Sequence, residues 1–370
     1  MKLGRAPTTQ SIRISGIGSE TERIFTIHRV DGTRGCTNPE VILGYMVRVF
    51  FTVDTEAHPA SPEWAARGFT AELRRDIDGV TPEGEFGAFY QAETLNSHGL
   101  KGVFFVETMF SHAVGIEPLR RVVSGIRERG HEVCLHLHPE WLRRAPQHSV
   151  LPGKEGSLMR LFSEDDQTTL VGKGVEQLNR CGVEKVYAFR AGGYAANFDT
   201  LRALARNGIP CDSSHNFCWT SNCDMPMDEP LLQPRRMHGV YEFPVSYFAD
   251  WPGHYRHAQL CACSFGELEA ALLRAWREDW HSFVIVSHSF ELVKRVTRNG
   301  EPAAALDRMV MRRFHKLCAF LAANRDKFQT STFSEMDGAD APSHRYDKPL
   351  PGSLPHTVWR FAEQACRRVF

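Results

Sequence analysis

The segment "GHEVCLHLHPEW", Gly130 to Trp141, sets three histidines and two acids around an apolar Val-Cys-Leu run. Read as a strand, it puts His136 and His138 on one face, because side chains two apart point the same way. Pro139 ends such a strand, so the pair falls at its C-terminal end. Alternating strand–helix folds concentrate their chemistry there. Three other strand-like segments end in polar residues that a core would not place there: "TVDTEAH" with Asp54 and Glu56 on one face, "FRAGGYAAN" with Arg190 ahead of two glycines and Tyr194, and "VIVSHSF" with His288. Each alone has an ordinary explanation as a helix cap, an anchored turn or a hydrogen-bonded histidine. Four such ends in one chain point to a shared mouth. A carboxylate with two imidazoles is the ligand set of an open zinc site. A second carboxylate could take a proton from water, with Arg190 holding it ionised. The glycines let a main-chain N–H approach a developing oxyanion, and His288 could protonate a leaving group. These parts make a metal-assisted hydrolase of an amide or ester.

The elements that would position these residues alternate along the chain. Strands are expected over 47–54, 102–107, 132–138, 185–190, 209–213, 240–246 and 283–288, with a last one over 328–333. Helical patterns fall between most of them. Residues 117–129 have apolar spacing near 3.6 and stop at Gly130. "DTLRALARNG" opens on Asp199 as a cap and stops at Gly208. "SFGELEAALLRAW" opens with a capping box, Ser264 and Glu267, and "ALDRMVMRRFHKLCAFLAAN" is the longest helix. Seven or eight strands alternating with helices predict an α/β barrel or a parallel open sheet. Residues 57–100 and 142–165 read as long loops without a legible motif. Residues 1–45 are an extension with weak periodicity. Met46, directly before the first strong strand, is a candidate native start, which would make 1–45 an over-long gene call. Residues 336–370 form a tail ending in an amphipathic "HTVWRFAEQACRRVF", suited to docking on the barrel or on a partner.

Composition narrows the function classes. Lys+Arg and Asp+Glu are 44 each in 370 residues, a formal net charge of zero, which argues against a nucleic-acid or acidic-membrane partner. The basic run Arg312-Arg313-Phe314-His315-Lys316 falls inside a helical pattern and reads as a solvated helix face. No apolar run of about 18 residues is present to span a membrane, and the N-terminus lacks the apolar core of a secretory signal. The ten cysteines show no framework, which suits buried thiols in a cytoplasmic protein. His254, His257, Cys261 and Cys263 in "HYRHAQLCAC" resemble zinc spacing, though irregular.

Over about residues 46–335 the chain resembles the NodB-homology polysaccharide deacetylases, carbohydrate esterase family 4, and more narrowly a branch associated with cell-surface polysaccharide gene regions. The motifs occur in the family's order. The resemblance implies a distorted (β/α) barrel of seven to eight strands and a divalent metal, most simply Zn²⁺. "VDTE" matches the first motif, with Asp54 as catalytic base and Glu56 as metal ligand. "GHEVCLHLHPE" matches the histidine motif, with His136 as a ligand and His138 and Glu140 competing for the next place. "RAGGY" matches the third, with Arg190 beside the base and Tyr194 marking the backbone oxyanion donor. Asp250-Trp251 matches the fourth motif and His288 the acid histidine of the fifth. Three positions depart from the family: the first acids are Asp-x-Glu rather than adjacent, position 140 is Glu where the family has its second histidine, and Gly192 stands in "RAGGY". The implied activity is N-deacetylation of an acetamido sugar or surface-polysaccharide precursor. A cyclic amide or ureide hydrolase on the same fold is the alternative substrate class. A carbohydrate-binding or assembly protein on a decayed deacetylase scaffold is the non-catalytic alternative.

Overall fold

The computed structural model describes residues 10–12, 25–27, 46–59, 64, 69–219, 221–298, 300–336, 346 and 348–369. The chain divides into two compact units, Met1–Leu43 and Gly44–Phe370. In the first, Gln10–Ile12 and Phe25–Ile27 pair as antiparallel strands. The expectation that residues 1–45 are an over-long gene call otherwise falls outside the described residues.

The second unit is built on one sheet. Its strands are β1 (Val47–Thr55), β2 (Val103–Glu107), β3 (Glu132–Leu137), β4 (Ala188–Ala191), β5 (Cys211–Asp212), β6 (Arg235–Met237), β7 (Val240–Glu242), β8 (Ser282–His288) and β9 (Phe328–Thr330). The order is β6-β7-β5-β4-β3-β2-β1-β8, with β9 also pairing β1. Every pairing is parallel except β6 with β7. The sheet curls, and irregular backbone spans the gap between β7 and β8. Val245 N donates to His215 O at 2.9 Å, Ser246 N to Val284 O at 3.3 Å, and Leu260 N to Val286 O at 2.9 Å. The architecture is a distorted NodB-like (β/α) barrel, as the resemblance implied; the strand pattern alone left an open parallel sheet as the alternative.

Strand alternation makes two cores and one site. Val47, Val49, Phe51 and Val53 of β1 point out to the helices and join the large outer core. Phe50 points inward, where Phe105, Cys134, Ala188, Phe243, Val284 and Phe333 fill the barrel. Phe333 stacks on Phe50 at 4.7 Å between centroids and plugs that end. Two residues further along the same face lies Thr52, and two more reach Asp54. The inner face therefore turns from apolar to polar toward the strand C-termini.

The helices that cover the outer face include α1 (Ala88–Ser97), α2 (Ile116–Arg127), α3 (Glu164–Arg180), α4 (Phe198–Arg206), α5 (Phe265–Arg277), α6 (Arg308–Ala323) and α7 (Leu354–Val369). The capping box expected at α5 forms: Glu267 N donates to Ser264 Oγ and Ser264 N to Glu267 Oε2. The cap expected at Asp199 is instead Asn197, boxed with Thr200. Asp199 lies in the first turn, where a carboxylate still favours the helix dipole. The expected loop 57–100 holds the helix Thr70–Asp76 and α1. Two hairpins were not legible in the sequence, Tyr247–Trp251 with His254–His257 and Val293–Arg298 with Glu301–Leu306.

The C-terminal tail docks on its own unit through α7. Arg360 is 1% exposed, and its guanidinium meets Asp250 Oδ2 at 2.8 Å and Glu267 Oε1 at 3.0 Å.

Candidate active site

The parallel register brings the polar strand ends side by side. His288 is paired with Asp54 between β8 and β1. His136 is paired with Arg190 between β3 and β4, and with Glu107 between β3 and β2. Residues separated by up to 234 positions thus meet at the C-terminal edge of one sheet.

Arg190 is fully buried, and each of its three guanidinium nitrogens donates a hydrogen bond. Nη1 donates to Asp54 Oδ1 at 2.7 Å and to Thr52 Oγ1 at 2.8 Å. Nε donates to Ser213 O at 2.9 Å and Nη2 to Ser213 Oγ at 3.0 Å. The Phe105 ring lies 4.3 Å below the guanidinium carbon. A guanidinium held this way fixes the position of the Asp54 carboxylate.

Glu56, His136 and His138 form the one cluster among the described residues whose ligand atoms are near enough to share a metal, all within 4.8 Å of one another. His136 Nδ1 lies 2.7 Å from the Arg190 carbonyl oxygen. The carbonyl can only accept, so Nδ1 carries a proton, and Nε2 lies 3.2 Å from Glu56 Oε2. His138 Nε2 also faces Glu56 Oε2, yet it is buried without a hydrogen-bond partner of acceptable geometry. An orphaned imidazole nitrogen beside a buried carboxylate and a second oriented imidazole is the donor set of a divalent metal, and the residues fit one. Burial alone would raise the Glu56 carboxyl, but the charge and hydrogen bonds of the surrounding histidines hold it well below its usual range.

Gly192 explains how His138 reaches this place. A Cβ at Gly192 would stand 2.6 Å from His138 Cε1 and Nδ1. The glycine leaves room for the ring, so the departure at Gly192 and the unusual histidine spacing belong together.

Glu140, the competing ligand, lies outside the cluster. Its Oε1 sits 2.7 Å from Arg144 and 3.6 Å from His58 Nδ1. His58 Nε2 in turn is 3.2 Å from Glu56 Oε1. Burial lowers the His58 pKa, but Glu140 and Glu56 outweigh it and raise it to about 10. Sequence reasoning missed His58, although "DTEAH" carries Asp54, Glu56 and His58 at period two.

His288 is 19% exposed at its side chain, and its Nδ1 sits 2.9 Å from Glu291 Oε2. Burial opposes the imidazolium, but the hydrogen bond and charge of Glu291 prevail and raise the pKa to about 9. Glu291 is anchored by Cys261 N at 2.8 Å and by Gln259 Nε2 at 3.3 Å. The His288 carbonyl accepts from Gln91 Nε2 at 2.8 Å. Glu291 was also missed; its signal is "HSFE", an acid three residues after the histidine.

Tyr194 takes φ 60°, a left-handed conformation uncommon for a non-glycine residue. It packs on Val245 and Val286. Its hydroxyl is buried without a hydrogen-bond partner, and burial pushes its pKa well up. Trp219, 45% exposed, lies 6.5 Å from it between centroids.

Asp250 is placed differently from the expectation. Its carboxylate is held by Arg360, by Arg256 at 2.7 Å and by His254 at 2.5 Å. None of these partners touches Asp54, Glu56 or His288 among the described residues. Asp250 ties α7 to the hairpin Tyr247–Trp251/His254–His257. The irregular zinc spacing of the same region does not converge either: His254 engages Asp250, His257 engages Gln259, and the Cys263 thiol faces the His257 carbonyl. The eight cysteines from Cys134 to Cys318 are thiols and not disulfides.

No family model matches the sequence, and no curated protein matches it. Among solved structures, the chain is similar to a protein assigned as a polysaccharide deacetylase from Mycobacterium smegmatis, with TM-score 0.51 and 19% identity over 86% of this chain and 99% of that one. A 4-alpha-glucanotransferase from Thermococcus litoralis gives TM-score 0.48 and 10% identity, over 84% of this chain and 42% of that one. A family 4 carbohydrate esterase from Streptomyces lividans, in complex with acetate, gives TM-score 0.38 and 11% identity, over 78% and 93%. At such identities the first of these likenesses is one of fold, and it agrees with the curled barrel described above. No helix among the described residues is long and apolar enough to cross a membrane.

Proposed function

We propose that the protein is a metal-dependent hydrolase of non-peptide C–N bonds, an N-deacetylase acting on an acetamido sugar or a surface-polysaccharide precursor. The observation that carries this reading is the joint placement of three parts at one sheet edge. They are the Glu56–His136–His138 cluster, the Asp54–Arg190 pair and the His288–Glu291 pair. The barrel shared with the M. smegmatis deacetylase supports it.

Glu56, His136 and His138 would hold the metal, which supplies Lewis acidity that makes water a nucleophile near neutral pH and polarises an amide carbonyl. Zinc suits one carboxylate with two imidazoles. Asp54, fixed in place by Arg190, accepts the proton of the attacking water. The Tyr194 segment lines the pocket in which the oxyanion develops. His288 carries a proton at neutral pH because Glu291 retains it, and it gives that proton to the departing amine as the C–N bond breaks. An amine cannot leave as its anion, so this step needs a protonated donor. Glu291 positions the ring and does not itself meet the substrate. Trp219, exposed beside Tyr194, offers a flat apolar surface on which a sugar ring can stack.

The test is direct. Purified protein loaded with Zn²⁺ is incubated with a panel of N-acetylated sugars and nucleotide sugars, and acetate is measured against free amine. One-to-one release on at least one member is expected. Release from cyclic amides alone would move the substrate class to the ureide alternative.

A further inference from the structure

Between α6, α7 and the hairpin Val293–Arg298/Glu301–Leu306 lies a cavity of about 620 Å³, none of whose lining residues belongs to the site described above. One wall is a row of cations on α6, Arg308, Arg312 and Lys316, at i, i+4 and i+8. All three are exposed, and the row runs roughly 12 Å along the helix. Among the described residues Arg312 and Lys316 have no acidic partner, and Arg308 reaches only Glu83 at 3.7 Å. The two acids on the cavity wall are already engaged, Asp307 by Arg367 and Glu363 by Arg313. Like charges one turn apart on a helix repel. The row is therefore left with unbalanced positive charge facing an open space.

The opposite wall, on α7, sets Trp359 and Ala362 beside Glu363 and Arg367 and continues onto the surface. Trp359 lines the cavity with its indole N–H donating to Glu363 Oε1 at 3.0 Å, and it is 62% exposed. Leu354, Val358 and Phe361 on α7 are 54%, 61% and 54% exposed. Their spacing of four and three puts them on one stripe of the helix, and Trp359 and Ala362 join that stripe to the cavity. The same helix is pinned to its unit by the buried Arg360 on its other side. A helix with an apolar outer stripe beside a cationic row has the composition of a segment that lies in a lipid interface. The formal net charge of zero hides this local excess of positive charge, so the basic run is a cavity wall rather than a plain solvated face.

We propose that this face docks on an anionic phospholipid surface, with lipid phosphates seated against Arg308, Arg312 and Lys316 and the stripe Leu354, Val358, Phe361 set among the acyl chains. Charge complementarity favours this occupant over a second copy of the chain, because two such rows facing each other would repel.

The experiment is co-sedimentation of the full chain with vesicles of phosphatidylcholine and phosphatidylglycerol, 1:1, and with vesicles of phosphatidylcholine alone. Binding to the anionic vesicles that weakens with salt is expected, with little to the neutral ones. Arg312→Glu/Lys316→Glu should lower the partition coefficient at least roughly 25-fold, since each basic residue near an anionic surface is worth about fivefold. Val358→Glu/Phe361→Glu should lose binding at unchanged charge row. Because all four residues are exposed, circular dichroism and thermal melting should match the parent, which separates lost docking from lost folding. Equal binding to both vesicle types, binding to neither, or unchanged binding in both variants would overturn the proposal. So would sedimentation showing a dimer that Phe361→Glu dissolves, which would assign the stripe to a second copy.

Discussion

Arg190 Nη1 lies 2.7 Å from Asp54 Oδ1, and both side chains are buried. This charge-assisted contact between buried groups fixes the carboxylate in place. The same guanidinium receives no carboxylate from the metal cluster, so Asp54 and Glu56 have different environments although two residues apart. The geometry gives the two carboxylates separate partners, Arg190 for Asp54 and the histidines for Glu56.

Asp54→Asn should therefore lower kcat by roughly 10²–10⁴-fold or more, the usual scale for losing a general base. Zinc content measured by atomic spectroscopy should stay near that of the parent. Loss of metal in this variant would reverse the assigned roles of Asp54 and Glu56.

The metal cluster makes a second set of outcomes. Glu56→Ala, His136→Ala and His138→Ala should each lose most of their zinc. Glu140→Gln should keep it, because Glu140 faces Arg144 and His58. Gly192→Ala should weaken zinc affinity without touching any ligand, since its Cβ would meet the His138 ring at 2.6 Å. Zinc retained in His138→Ala and lost in Glu140→Gln would show that the wrong residue was taken as the third ligand.

The His288–Glu291 pair sets a pH limit. Its imidazolium titrates at about 9, above the usual 6.5 for histidine. A protonated acid is then available through neutrality, and kcat/KM should fall on the alkaline side near pH 9. Glu291→Gln should move that limb down toward neutrality. The sign for stability follows from the same shift. The folded state holds this proton more tightly than the unfolded state, so the stabilisation is complete below about pH 6.5 and disappears as pH rises through about 9. Thermal melts across this range, compared between the parent and Glu291→Gln, measure it. An alkaline limb that Glu291→Gln leaves in place would remove Glu291 from its positioning role.

Arg360 gives a stability test free of the chemistry. Arg360→Ala leaves Asp250 and Glu267 without their shared buried cation, a change worth about 3–5 kcal/mol. Denaturant unfolding should show that loss, while kcat/KM of the folded fraction stays within a few-fold of the parent. A selective loss of kcat with unchanged stability would return Asp250 to the active site.

Much of the barrel was legible because its information is local. The alternation in "VRVFFTVD" separates Phe50 and Asp54 from Val49 and Val53, and the polar strand ends mark the mouth. Ser264 and Glu267 announce the start of α5 within four residues. What stayed hidden depends on distant partners. Asp250-Trp251 has the right order for a site motif, but Arg360, 110 positions away, decides what Asp250 does. The sequence left His138 and Glu140 competing for one place; the structure sets His138 with Glu56 and His136, and Glu140 beside Arg144 and His58. His58 and Glu291 had weak local signals, an i+2 and an i+3 relation, that acquire meaning only when Glu56 and His288 are known to matter.

We propose that this sheet edge hydrolyses an acetamide with a bound metal and Asp54 as base. The most direct measurement is acetate and amine release from N-acetylated sugars by the zinc-loaded protein, its metal-stripped form and Asp54→Asn, each confirmed folded. Equal acetate and amine from the loaded protein, abolished by stripping and restored by zinc, and largely lost in Asp54→Asn, is the expected result. Turnover that survives metal removal, or that Asp54→Asn leaves intact, would contradict it.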